Sequence, residues 1–313
     1  MIDENIFVIA LLKCKGIGKT RALEFIVQNN FNIESCIENI NSIVSKDVFE
    51  IAYQEAKVEV LKNLSKNIKL ITIFDSEYTS KLYTMKDPVL YLYYIGDIRL
   101  LNRKSVAIIG TRKPSDESVE LAKKTTKIFT DKDYVIVSGL ALGIDAVTHE
   151  ECLNNKGKTI AILPSALDNI QPKSNTELAR RIVKNGGCLV SEYSIGTEIN
   201  KFNYAQRDRI QSALSNTIIV IEAEEKSGTM IATKKSISEG KPVFQLKENK
   251  IRNNIIKNNI NIYDEKDIET VEEKIEEDFK MEYLRFNSLK NKVTLKIMKV
   301  SDSSDDEDQI SLF

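Results

Sequence analysis

Short apolar runs separated by polar, helix-length segments fill the middle of the chain. The runs are VAIIG (106–110), YVIV (134–137), TIAILP (159–164), CLVSE (188–192), NTIIVIEA (216–223) and KPVFQL (241–246). Apolar runs alternating with helices predict a mostly parallel sheet with helices on both faces, an α/β arrangement. Two earlier runs, KLITIF (69–74) and VLYLYYIGD (89–97), extend the sheet region on its N-terminal side. Residues 1–66 read as a small helical domain. From Glu248 to Val300 the chain is rich in Lys, Asn, Ile and Glu, and only 268–279 has a helical pattern. The organisation expected is therefore 1–66 helical, 67–247 sheet domain, 248–300 a segment without assigned role, and 301–313 a tail.

The residues that follow the runs are the candidate chemistry. Arg112, Ser138-Gly139, Pro164-Ser165, Ser191-Glu192 and Lys226-Ser227-Gly228 all stand just past a strand. Ligands of parallel sheets sit beyond the carboxyl ends of the strands, where helix N-termini and backbone N–H groups favour phosphate. Gly139 and Gly143 would let backbone approach a ligand closely. Arg112 would grip a phosphate through paired hydrogen bonds. Any one such turn is ordinary; five at the same end of one sheet point to a crevice.

Composition narrows the reading. With 313 residues, 42% hydrophobic and 29% charged, the chain suits one large or two modest globular domains. The net charge of −1 hides an asymmetry, because 301–308 holds five acids and no base. Without that stretch 45 bases face 41 acids, so a nucleic-acid site has to be a local patch. Cys14, Cys36, Cys152 and Cys188 have no CxxC spacing and are expected as reduced thiols of a cytoplasmic protein. His149 is the only histidine, which leaves little material for a metal site or a Ser-His-Asp triad, and neither metal nor cofactor is expected. In GIDAVTH it reads first as a packed imidazole. Glu222 and Glu224, past the IIVI run, read as solvated or paired carboxylates before they read as ribose contacts. No run has membrane-spanning length.

In LLKCKGIGKTRALEFI (11–26), a Gly16-Ile17-Gly18 turn precedes a helical apolar face, with Lys13, Lys15, Lys19 and Arg21 around it. This resembles a helix-hairpin-helix, or SAM-like, unit that offers N–H groups to a DNA phosphate. A hairpin used only for packing fits the pattern equally.

The central motifs, in order and spacing, resemble the DprA/Smf family of DNA-processing proteins over about 5–247. Gly110-Thr111-Arg112 stands for the family's Gly-Ser-Arg turn, and SGLALGIDAVTH (138–149) for SGLAxGIDxxAH. GKTIAIL (157–163), Ser191-Glu192 and SGTMIATKKSISEGKPVF (227–244) follow in the family's order, and 73–97 matches its lead-in to the sheet. The resemblance implies an extended Rossmann-like domain that binds single-stranded DNA, a homodimer, and loading of a RecA-type recombinase during DNA uptake or recombination. It implies no catalysis, and the crevice offers no nucleophile–base pair. The family's Phe-Pro-x-Arg-Asn-Arg is here Tyr204-Ala205-Gln206-Arg207-Asp208-Arg209. Arg112, Arg207, Arg209 and Lys226 are thus the expected phosphate contacts, helped by N–H groups of 138–143 and of Ser227 and Gly228, with bases stacked on Tyr204.

Three departures stand out. Asp208 replaces a neutral amide, Gln171-Pro172 replaces Tyr-Pro, and nothing from Glu248 onward reads as a winged helix. Two rival functions are a nucleotide sensor or nucleotide-cleaving enzyme, for which the PGGxGTxxE signature is missing, and an adaptor in phage defence. The ending QISLF (309–313) is similar to the pentapeptide with which bacterial proteins bind the sliding clamp. Leu312 and Phe313 would be anchors, Gln309 a rim contact, and the acidic run a disordered tether.

Overall fold

The computed structural model describes residues 2–224, 227–246, 261–263 and 268–305. The chain opens with helices α1 (Glu4–Lys13), α2 (Lys19–Gln28), α3 (Ile33–Glu38) and α4 (Lys46–Leu64). Asp3 starts α1 by accepting the N–H groups of Asn5 and Ile6, and Asn32 starts α3 through Ser35. Ile6 to Leu11 are all buried, because α1 is packed between α4 and the sheet.

The sheet region then runs β1 (Lys69–Thr72), α5 (Ser80–Tyr83), β2 (Tyr91–Gly96), β3 (Ser105–Ile109), α6 (Asp116–Asp131), β4 (Val135–Ser138), α7 (Ile144–Asn154), β5 (Thr159–Ile162), α8 (Thr176–Lys184), β6 (Cys188–Ser191), α9 (Lys201–Leu214), β7 (Thr217–Val220), α10 (Gly228–Ser238), β8 (Val243–Leu246), β9 (Asn261–Tyr263) and α11 (Ile268–Asp305). The described strands form one sheet ordered β1-β2-β6-β5-β4-β3-β7-β8-β9. From β6 to β9 all pairings are parallel, while β2 lies antiparallel to β6 and β1 antiparallel to β2. This is the α/β, Rossmann-like sheet that the apolar runs predict.

Every residue of β3, β4, β5, β6 and β7 is buried, so these strands carry no polar alternation. Their side chains nevertheless divide by face. Val106 and Ile108 join Ala122, Phe129, Ile144 and Ile275 on one side; Ala107 and Ile109 join the larger core that reaches α1 and α4 on the other.

Three features add to or change what the sequence predicts. The two early strands do extend the sheet, and the edge they extend is that of β6. The short β9 lies in a segment with no strand signal. The last helix is far longer than 268–279 and continues to Asp305, through part of the stretch expected to be disordered. Propagation from an established helix adds one hydrogen bond per residue, so a polar continuation follows where a polar start would not.

The described part of 248–300 packs on the fold. Val271 and Ile275 of α11 are fully buried, and Asp278 receives Lys241, Arg285 and the Asn216 amide. Further along, the Phe286 ring lies 5.8 Å from Phe31 and 6.0 Å from Tyr83, which brings α11 against the helical domain.

Candidate nucleic-acid cleft

From β3 the chain steps outward through β4, β5 and β6, then returns and steps the other way through β7, β8 and β9. Loops after β3 and β7 therefore diverge, and a crevice opens between them at the carboxyl ends of the strands. A cleft of about 470 Å³ occupies this place, lined by Gly110, Thr111, Arg112, Asp145, Tyr204, Arg207, Asp208, Gln211, Glu224, Ser227, Gly228 and Thr229 among others.

Its walls are tied down by backbone. The Thr111 N–H donates to the Glu222 carbonyl (2.7 Å), the Ile144 N–H to the Thr111 carbonyl (3.1 Å), and the Thr229 hydroxyl to the Gly110 carbonyl (3.0 Å). Gly143 makes the second contact possible. It has φ +75°, and a Cβ there would lie 2.4 Å from the Thr111 oxygen. Ser227 caps α10, its Oγ accepting the Met230 N–H at 3.3 Å.

Arg112 is exposed at the mouth, with its guanidinium carbon 5.3 Å from the centre of the Tyr204 ring. The pair forms a cationic and aromatic ledge over a second, smaller hollow of about 120 Å³ that reaches Leu142, Pro164 and Pro172. Deeper in, Arg207 is 6% exposed and held on several sides. Its Nη1 donates to Gln211 (3.1 Å) and lies 3.5 Å from Asp145, and its Nε is 3.1 Å from Asp208 without an aligned hydrogen bond. Gly139 gives this guanidinium its room, since a Cβ at 139 would fall 1.1 Å from Nη1.

Several assigned roles are thereby corrected. Arg209 is not in the cleft. Its side chain is wholly enclosed, with Nη2 2.5 Å from Glu192, Nη1 2.8 Å from the Asp87 carbonyl and Nε 3.2 Å from the Asp87 carboxylate. On one helix, residues two positions apart face roughly 200° away from each other, so Arg207 and Arg209 leave α9 on different sides. The Ser138 hydroxyl is buried and donates to the Ile108 carbonyl at 2.8 Å, so what residue 138 could offer a ligand is the backbone contact expected of it and not the side chain. Gly139 and Gly143 make room for Arg207 and for Thr111-Arg112 of the same chain, and Gly139 also lines the smaller hollow. Glu222 receives the Ser115 N–H at 3.0 Å, at the start of α6. Gly228 and Ser227 do line the cleft. Lys226 lies outside the described residues, as do Gln309, Leu312 and Phe313.

Asp145 and Gln211, which set Arg207, were not singled out by sequence reasoning. The first sits inside the GID motif; the second carries no local signal.

At the hairpin, Lys13 pairs with Glu59 (2.8 Å) and Lys19 with Glu192 (2.8 Å), while Arg21 lies 3.3 Å from the Gly16 carbonyl. Lys15 is exposed.

His149 is packed, as expected. It is fully buried, its Nδ1 is 2.8 Å from the Thr159 hydroxyl, and burial, reinforced by the Arg207 charge, pushes its pKa down to about 3. All four cysteines are free and buried, and burial raises the thiols of Cys36 and Cys152 to about 12.

The histidine gives a pH prediction. The unfolded chain protonates His149 near its ordinary value, whereas the fold keeps it neutral. Stability contributed by this residue is therefore complete above about pH 6.5 and falls as pH drops towards about 3. Urea titrations of wild type and His149→Gln between pH 7 and pH 4.5 should show a steeper acid loss in wild type, approaching roughly 1.4 kcal/mol per pH unit of difference. Parallel losses in both would show that His149 does not govern the acid limb.

The fold is Rossmann-like, and its cleft lies at the switch point between β3 and β7, where sheets of this kind hold their ligands. Residues 69–277 match the family model of DNA recombination-mediator protein A, and the chain belongs to that family of DNA-processing proteins. Among relatives, Protein Smf of Synechocystis is 37% identical over 58% of this chain, and DNA processing protein DprA of Bacillus subtilis is 32% identical over 66% of it. The matches span 46% and 70% of those two proteins. The X-ray structure of DprA from Streptococcus pneumoniae superposes with a TM-score of 0.71 at 27% identity, covering 86% of this chain and 98% of that one. DprA from Helicobacter pylori, described by its single-stranded DNA binding mode, superposes with a TM-score of 0.56 at 31% identity, covering 62% of this chain and 90% of that one. Among the described residues no helix is long and apolar enough to cross a membrane.

Proposed function

We propose that the chain is a non-enzymatic single-stranded DNA-binding protein that holds the strand along the β3/β7 cleft. The observation that carries this reading is the exposed Arg112 over the Tyr204 ring at the cleft mouth. One contacts phosphate and the other offers a face to a base, and every base has a face to stack. Ser227, Gly228 and the start of α10 supply N–H groups on the far wall. Arg207 acts from below: partly neutralised by Asp145 and Asp208, it shapes the floor and adds a weaker positive field. Asp145 and Asp208 are engaged with Arg207, while Glu224 is an exposed carboxylate of the cleft lining; the non-enzymatic part of the reading rests on the family.

A small nucleotide is the second reading, favoured by a cleft volume within the usual range of small-ligand pockets. Titrating the protein with a labelled oligothymidine, in competition with a panel of nucleoside mono-, di- and triphosphates, separates the two. Displacement by stoichiometric nucleotide would support the sensor; displacement only by longer strands supports the DNA reading.

Loading of a RecA-type recombinase and homodimer formation remain part of the proposal on the strength of the family. The QISLF end is proposed as a tether to a sliding clamp. A short peptide with two apolar anchors gives micromolar-class affinity, limited by ordering of the tail. Calorimetry of a bacterial clamp should detect the full chain and lose the signal on removal of 309–313, with DNA affinity unchanged. Equal heats from both chains would exclude the tether.

A further inference from the structure

The cleft runs deeper than its mouth. Three of the residues that line it, Ala107 and Ile109 of β3 and Ile218 of β7, are sheet side chains no more than 7% exposed. One wall is the face of α9 on which Tyr204, Arg207, Asp208, Gln211 and Ser212 recur at three- and four-residue spacing. From half-buried Tyr204 to Ser212, 3% exposed, that face descends about 12 Å at 1.5 Å per residue. The facing wall is α10, which contributes Gly228, Ala232 and Ser236, one small residue at every fourth position. A Cβ built on Gly228 would meet nothing within 4 Å. Small side chains along this wall keep the inner space open, where interiors are otherwise packed as densely as organic crystals.

Two polar groups of this inner space are not used by the fold. The Ser212 hydroxyl and the Arg207 Nε–H are buried and without a hydrogen-bond partner among the described residues, and both side chains line the cleft. Ser215, three residues on, shows the alternative: its hydroxyl turns back to the carbonyls of Gln211 and Ser212. A buried polar group without a partner is costly, so two of them lining one gap mark a ligand position. The ligand is not a phosphate. Arg207 faces two carboxylates, Asp145 at 3.5 Å and Asp208 at 3.1 Å, and little of its charge is left for an anion. Apolar walls of Ala107, Ile109, Ile218 and Ala232, with a few hydrogen-bonding groups at one side, suit a flat heteroaromatic ring instead.

We infer that the inner space is a socket for one nucleobase, turned out of the strand that Arg112 and Tyr204 hold at the mouth, with the Ser212 hydroxyl and the Arg207 Nε–H bonded to its edge. This rests on the single-strand reading of the cleft. A base of a single strand is the least costly to turn out, because it has no pairing to lose. A free nucleotide would present the same ring; the two sources differ in whether the rest of a strand is needed at the mouth.

The test is fluorescence anisotropy of the full chain with two labelled oligomers of equal length, an oligothymidine and its abasic counterpart, and with thymidine monophosphate as competitor. Ala232→Leu fills the socket from a half-buried helix position. It should weaken oligothymidine binding about tenfold, the effect of one held base, and bind the abasic strand like wild type. Ser212→Ala should also weaken oligothymidine binding, yet unfold at the same or a higher urea concentration than wild type, because it removes a hydroxyl that the free protein leaves unpaired. A serine kept for the fold alone would show the reverse. If both variants bind oligothymidine like wild type, the socket is overturned while the single-strand reading stands. Equal losses on both strands in Ala232→Leu would overturn it as well, since the effect would not depend on a base. Displacement of the strand by stoichiometric thymidine monophosphate, weakened by Ser212→Ala, would give the socket to a free nucleotide and overturn the strand as its source. A wild type that binds no oligothymidine would overturn the single-strand reading and the socket with it.

Discussion

Arg209→Ala is expected to destabilise the protein by about 3–5 kcal/mol, the usual cost of stranding one partner of a buried ion pair. The guanidinium is completely enclosed and joins three parts of the chain. Glu192 follows β6, Asp87 precedes β2, and Arg209 itself lies mid-way along α9. Glu192 also holds Lys19, at the start of α2, at 2.8 Å. Removing the arginine leaves the Glu192 carboxylate, 9% exposed, with a single partly exposed lysine. Arg209→Lys keeps the charge but loses the fork that reaches both Glu192 and Asp87, and should recover only part of the loss. Urea unfolding of the three proteins checks this. A loss below about 1 kcal/mol for Arg209→Ala would mean that the network adds little to the fold.

Tyr204→Ala is expected to weaken single-strand binding by about 1–3 kcal/mol, the range for one base–aromatic stack. The substitution also removes the ring on which Arg112 rests, so the arginine loses its orientation together with the stack. Tyr204 is half-buried on α9 and its phenol has no hydrogen bond among the described contacts, so Tyr204→Phe should bind like wild type. Fluorescence anisotropy with a labelled oligothymidine gives the comparison. Equal loss in the Phe and Ala variants would assign the effect to the hydroxyl rather than to stacking.

The contrast between Arg207 and Arg209 shows where sequence reasoning stops. The strands β3 to β8 are legible because a parallel strand buried on both faces has to be apolar throughout, and their ends locate the crevice directly. Arg112 is legible for the same reason, since it follows β3 immediately. The fate of the other two arginines depends on which carboxylates face them, and apart from the adjacent Asp208 those stand at 87, 145 and 192, away in sequence. The Ser138 hydroxyl is taken up by a carbonyl of the neighbouring strand, a partner thirty residues away that no local pattern announces. Gly139 and Gly143 are correctly marked as close approaches, but the approaching atoms belong to the same chain. The long α11 escapes because its apolar face is sparse. What fixes it to the sheet is an ionic cluster around Asp278 and the Phe286 contact with Phe31, neither of which has a local pattern.

These corrections concentrate the candidate phosphate contacts on Arg112 and the far wall of the cleft, and they make the site smaller than three arginines would suggest. Binding of an oligothymidine to wild type and to Arg112→Ala, each followed across a salt series, tests that claim most directly. Arg112 is exposed, so its removal leaves the fold intact. Wild type should lose affinity linearly in the logarithm of salt concentration, and the variant should bind more weakly with a slope shallower by about 0.7, the value for one lost contact to a single strand. Unchanged affinity and slope in Arg112→Ala would place the DNA somewhere other than the β3/β7 cleft.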